Sequence, residues 1–127
     1  MVLMKHIALQ MDSKEHAEQF YKDLLHAQLV KEFQVSPDLV KQIFNINLLH
    51  DVTVMVFEIK NQQFEVFIST IQQNDRFDHV CLGIDDVSGF LSKCREFNLS
   101  IYRIPKGEKE LVFIKDFCGN LFEIKKK

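Results

Sequence analysis

Tryptophan is absent from this chain of 127 residues, and proline and glycine are scarce, at two and four. With so few flexible or breaker residues, no Pro-, Gly- or Ser-rich stretch stands as a linker, and a single domain spanning 1–127 is expected. An excess of one charge sign is missing too, because 16 basic and 18 acidic residues leave a formal net charge of −2. That balance supplies no broad electropositive surface for a phosphate backbone, so nucleic acid is not an expected partner. No apolar run approaches the length of a membrane span, and the run before Asp12 is too short for a signal peptide. A cytoplasmic protein without a membrane partner is expected. Cysteine is limited to Cys81, Cys94 and Cys118, odd in number, widely spaced and without a CxxC. This pattern excludes a disulfide framework and a zinc ribbon, and points to reduced thiols.

What is present in quantity is phenylalanine, twelve residues of it, which with Leu, Ile and Val suffices for a core that needs no metal to hold it. Any metal is then functional. A duplication carries the chemistry. MKHIALQMDS, starting at Met4, and FDHVCLGIDD, starting at Phe77, share one frame: Met or aromatic, x, His, aliphatic, x, Leu, x, aliphatic, Asp. Each copy ends in Phe-Glu-aliphatic, at Phe64-Glu65-Val66 and Phe122-Glu123-Ile124. Glu65 follows His6 by 59 positions and Glu123 follows His79 by 44, so an insertion of fifteen residues is expected in the first copy, between about Ser36 and Asp51. The modules are 1–72 and 73–127.

Alternation of period two predicts a strand over 6–11, and Asp12-Ser13 followed by Ala17, Phe20, Tyr21, Leu24 and Leu25 at helical spacing predicts a helix over about 14–26. Strands are expected at 29–35, 52–59 and 64–68, with Ser36-Pro37-Asp38 as a turn before the apolar stretch 43–49 and Asn61-Gln62 as a second turn. The second copy repeats this order with a strand over 77–84, a helix over about 87–97 and strands near 99–104, 111–115 and 121–124. Gly107 and Gly119-Asn120 fall where turns require positive φ.

Within strands of period two, His6 and His79 lie opposite the aliphatic residues that pack under helices, and so do Glu65 and Glu123. All four are expected on sheet faces that helices leave bare. Two imidazoles and two carboxylates make a site for Zn²⁺, Ni²⁺, Co²⁺, Mn²⁺ or Fe²⁺ with open positions for substrate.

With those residues in hand, the chain resembles the vicinal oxygen chelate superfamily over essentially its whole length, and within it the glyoxalase I branch most closely. The segment DSKEHAEQFYKDLL resembles the family's first helix, and FIKDFCGNLFEI resembles its closing strand, Asp-x-x-Gly-Asn turn and strand. The resemblance implies an α+β fold of two βαβββ modules, the glyoxalase/bleomycin-resistance/dioxygenase fold, with a curved mixed sheet around a cleft. It further implies a homodimer, a small-molecule substrate, one divalent metal per site and ligand roles for His6, Glu65, His79 and Glu123. In glyoxalase-like chemistry the metal binds the two oxygens of an α-hydroxy carbonyl adduct and stabilises an enediolate, while a carboxylate moves a proton between adjacent carbons. By resemblance Glu123 is that base and Glu65 a second acid/base, in a lactoylglutathione lyase-like enzyme. Gln10 stands where glutathione-using relatives have Arg, and Ser69 where an Asn often holds the tripeptide, which weakens the thiol assignment. Phe117-Cys118 replaces the usual Pro-Asp of the turn. A non-catalytic drug-sequestering protein and a mononuclear iron oxygenase are the alternatives; Glu65, a second carboxylate, counts against the oxygenase.

Gln10, Phe67, Ser69 and Cys81 are the candidate pocket residues. For Cys81 a small buried strand position is the default, and for Phe67, Phe57 and Met55 core packing competes with a place in the pocket wall. His16, His26 and His50 are expected at the surface. Arg76 and Arg103 are candidates for a substrate carboxylate, with exposed salt bridges as the default.

Overall fold

The computed structural model describes residues 3–72 and 77–127; Arg76 lies outside them. The chain divides into two compact units, Met1–Ile71 and Gln72–Lys127. In the first, β1 (His6–Met11) leads into a helix whose α-helical part, α1 (Lys14–Ala17), continues as a π-helical stretch Glu18–Leu24. Ser13 caps it by accepting from the His16 N–H. Wide i→i−5 bonding, seen where the Leu25 N–H donates to the Phe20 carbonyl at 3.0 Å, ends the helix two residues before the expected limit. Strands β2 (Gln28–Val35), β3 (Val52–Ile59) and β4 (Gln62–Ile68) complete a four-stranded sheet ordered β1-β4-β3-β2. β1 runs parallel to β4, and the other neighbours are antiparallel. The β3–β4 turn falls at Lys60 and Asn61, one residue earlier than expected, with Lys60 at φ 54°.

The α1 side of this sheet holds the aromatic core. Tyr21 stacks on Phe57 at 5.2 Å between centroids, meets Phe64 at 5.3 Å and Phe20 edge-on at 5.1 Å. Such pairs add about 0.5–1.5 kcal/mol each beyond their buried area. Phe57 and Met55 are fully buried, which settles their role as packing rather than pocket wall.

The inserted segment holds a helix that the turn expectation missed, α2 (Pro37–Phe44). Ser36 accepts from the Leu39 N–H at 3.2 Å, Pro37 occupies the first turn, and Asn45 closes the helix in the left-handed conformation at φ 58°. Val40 is buried against Val35, Val52, Val54 and Val56, with Phe33, Ile46, Leu48 and Phe67 packed around them. The expectation of a helix-free second face is therefore overturned for this unit. Its β2 and β3 side carries α2.

The second unit repeats the topology. β5 (Val80–Ile84), α3 (Val87–Glu96), β6 (Ile101–Lys106), β7 (Lys109–Lys115) and β8 (Leu121–Lys126) form a sheet ordered β5-β8-β7-β6, with β5 parallel to β8. Asp86 caps α3 by accepting from the Gly89 N–H at 3.0 Å. Gly107 and Gly119 have φ of 63° and 86°, as their turn positions demand. The buried Asp116 holds the β7–β8 turn: its Oδ1 accepts from the Cys118 and Asn120 N–H groups, both at 2.9 Å, and its Oδ2 from the Asn120 side-chain amide at 2.7 Å. The strands form two four-stranded mixed sheets, one in each unit. Strand β5 also starts later than expected, since pairing begins at Val80 with Phe122 and leaves Phe77 exposed outside it.

Candidate metal centre

Strand alternation decides which side chains share a face, and the pairing register decides which of them are neighbours. In the first unit Ala8 lies beside Glu65 and His6 beside Gln63, with Val56 on the other flank of Glu65. His6 and Glu65 thus project on the face opposite the aromatic core. His6 Nδ1 stands 3.5 Å from Glu65 Oε2, with the imidazole 44 % and the carboxylate 23 % exposed. In the second unit Cys81 and Phe113 flank Glu123 on the two neighbouring strands. His79 Nε2 is 3.8 Å from Glu123 Oε1, with the carboxylate only 15 % exposed, and the Lys125 Nζ is 3.9 Å from Glu123 Oε2.

Both His–Glu separations exceed a good hydrogen bond. They are close to the roughly 3.4 Å that separates two ligands of a tetrahedral ion with metal–ligand distances near 2.1 Å. His79 lies just ahead of β5, and its Nδ1–H donates to the Phe77 carbonyl at 3.1 Å. That bond fixes the tautomer and leaves the Nε2 lone pair directed to the Glu123 side, the usual second-shell arrangement of a metal-binding imidazole. Phe113 packs edge-on against the His79 ring at 6.1 Å between centroids. The donor set fits a divalent ion of intermediate hardness. Each unit brings one His and one Glu together; among the described residues no group of three or more His, Cys, Asp or Glu is gathered for a metal.

The remaining sequence candidates separate. Gln10 directs its side-chain N–H groups to the Ser69 and Ile71 carbonyls, both at 2.8 Å, and Ser69 Oγ accepts from the Ile71 N–H at 3.2 Å. These two residues tie the segment after β4 to β1. Phe67 lies on the His6–Glu65 face, two residues beyond Glu65. Cys81 is exposed on the Glu123 face, which corrects the expectation of a buried strand position. Arg103 pairs with Glu110 at 3.0 Å on the surface, and His16 Nδ1 pairs with Asp12 at 2.8 Å. His26 and His50 are exposed. Sequence reasoning missed Phe44, whose ring meets Phe67 edge-on at 5.4 Å. The Ser-Pro-Asp start of α2 was the signal that would have placed it.

No family model matches this sequence, and no curated protein does. Solved structures do share its fold. The trypanothione-dependent glyoxalase I of Leishmania major aligns with 99 % of this chain and 87 % of its own, at a TM-score of 0.73 and 13 % identity. A glyoxalase family protein of Enterococcus faecalis aligns over 96 % and 95 % at 0.71 and 15 %. The fosfomycin resistance protein FosX of Listeria monocytogenes, in complex with Mn(II) and sulfate, aligns over 100 % and 93 % at 0.70 and 15 %. This chain therefore has the fold shared by that glyoxalase I, that glyoxalase family protein and FosX. Its two units share the element order βαβββ, and the first carries α2 in addition. Among the described residues no helix is long and apolar enough to cross a membrane.

Proposed function

We propose that this chain is a homodimeric, metal-dependent, glyoxalase-like lyase or isomerase acting on a small α-hydroxy carbonyl compound, with His6, Glu65, His79 and Glu123 as the ligands of a divalent ion. The observation that carries this is the repeated His–Glu pair, at 3.5 Å in one unit and 3.8 Å in the other, on equivalent strands of a duplicated fold. A Zn, Ni, Co, Mn or Fe ion held there supplies Lewis acidity to two adjacent substrate oxygens. Glu123, the less exposed carboxylate, takes the proton from the carbon beside the carbonyl and returns it to its neighbour. Glu65 serves as second acid/base. The side-chain N–H groups of Gln10 are spent on backbone carbonyls, which speaks against a glutathione carboxylate at that position and for a compact substrate. The retention of both His–Glu pairs speaks against a non-catalytic drug-sequestering protein.

The test is solvent exchange. Metal-loaded protein is incubated with hydroxyacetone in D2O, and loss of the hydroxymethyl C–H signal is followed by proton NMR. The native protein exchanges it, and Glu123→Gln slows exchange by at least about 100-fold while its circular dichroism is unchanged. An undiminished rate in Glu123→Gln would remove Glu123 from the base role. Absence of exchange in the native protein with any of the five metals would favour the binding-protein alternative.

A further inference from the structure

The addition to the first module lies beside the candidate ligands. Along β4, Gln63, Glu65 and Phe67 share one face, and on β1 their neighbours are His6, Ala8 and Gln10. Ala8, exposed and with only a methyl group, sits directly beside Glu65 and leaves open space over the sheet there. On one side this space is bounded by polar Gln63, whose amide donates to Glu58 at 3.0 Å. On the other it meets Phe67 and, standing edge-on to it, Phe44 from α2. Phe67 packs beside the cluster of Val35, Val40, Val52, Val54 and Val56 on the same face. Phe44 is 44 % exposed, its ring meeting Phe67. Covering that exposed ring surface with a further apolar group, above all an aromatic one, would add buried area and ring contact.

We infer that Phe44 and Phe67 form an apolar wall that selects substrates bearing an aromatic group next to their oxygen-carrying carbons, an inference that rests on the function proposed above. The substrate's oxygen-carrying end lies on the side of His6 and Glu65, and its ring lies over Ala8 against the two phenylalanines. α2 is then a specificity element, and the fifteen-residue insertion its carrier.

Isothermal titration with 2-hydroxyacetophenone and hydroxyacetone, which differ by phenyl against methyl beside the same carbonyl and hydroxyl, tests it. The native protein binds the phenyl compound at least about tenfold more tightly, and Phe44→Ala brings the ratio to within about threefold of one. Phe44→Leu, which keeps apolar bulk without the ring and guards against loss of fold, gives an intermediate ratio. A native ratio near one, no measurable binding of the phenyl compound, or a ratio unmoved by both variants overturns the inference. Glu65→Gln separates it from the parent proposal, since it weakens both compounds equally and preserves the ratio. If Glu65→Gln changes neither affinity while the ratio still depends on Phe44, the metal-centred function fails and the wall stands.

Discussion

The three thiols show how far one residue's environment departs from its neighbour's. Cys94 is fully buried in α3, and desolvation, only partly offset by the charge of Arg95, pushes its pKa from 9.0 up to about 11. Cys81 is exposed on the Glu123 face and Cys118 is half-buried in the β7–β8 turn. With a disulfide reagent at pH 8, Cys81 is expected to react first and Cys94 only after unfolding, as mass spectrometry of the labelled peptides will show. The Cys94 shift also has a sign for stability. Above pH 9 the unfolded chain releases this proton while the folded chain keeps it, so the contribution is full below pH 9 and is lost as pH rises through about 11. Urea midpoints measured from pH 8 to 11 should fall more steeply for the native protein than for Cys94→Ala; parallel curves would discard the assignment. That His6 stands near Glu65 and His79 near Glu123 was legible in the sequence because both copies carry the same polar positions against an apolar alternation. The exposure of Cys81 was not legible, since a small thiol in a strand reads as core until the face it occupies is known to be bare.

Among the elements, α2 separates what a motif says from what it does. Ser36-Pro37-Asp38 is compatible with a turn and with a helix start, and the choice is made by Val40 finding a buried place over β2 and β3. Local chemistry alone could not decide it. If α2 is held as described, Ser36→Ala costs about 1 kcal/mol through the lost cap, and Val40→Ala roughly 2 kcal/mol through the cavity it leaves. A plain turn would leave both near zero in urea denaturation. The β7–β8 turn makes a sharper case, because Asp116 accepts from two backbone N–H groups and one side-chain amide at a buried position. Asp116→Ala should cost roughly 3 kcal/mol or more, well above Ser36→Ala, as it leaves several donors unsatisfied at once. The strands followed from alternation, β1 and β3 at the expected bounds and the others with ends displaced by one to three residues, because a strand ends where its partner ends. β5 shows this: the strand is expected from Phe77, but β8 offers it a partner only from Phe122 onward.

At the scale of the whole molecule, the repeated order β1-β4-β3-β2 and β5-β8-β7-β6 places one His–Glu pair at the same point of each sheet. Two independent two-ligand sites and one four-ligand site make different demands on stoichiometry and stability. A four-ligand site binds one ion per two pairs, and losing either histidine weakens it nearly as much as losing both. Elemental analysis of protein purified without added metal should give close to one divalent ion per chain, lost in His6→Ala, in His79→Ala and in the double variant alike. Metal at about 100 times its dissociation constant stabilises the folded state by about 2.7 kcal/mol, a rise in Tm on the order of 10 °C for a chain of this size. That rise should vanish in each single variant as completely as in the double one. Retention of half the metal and half the shift in a single variant would mean that the two pairs act separately, and the duplicated fold would then carry two weak sites where we propose one strong one.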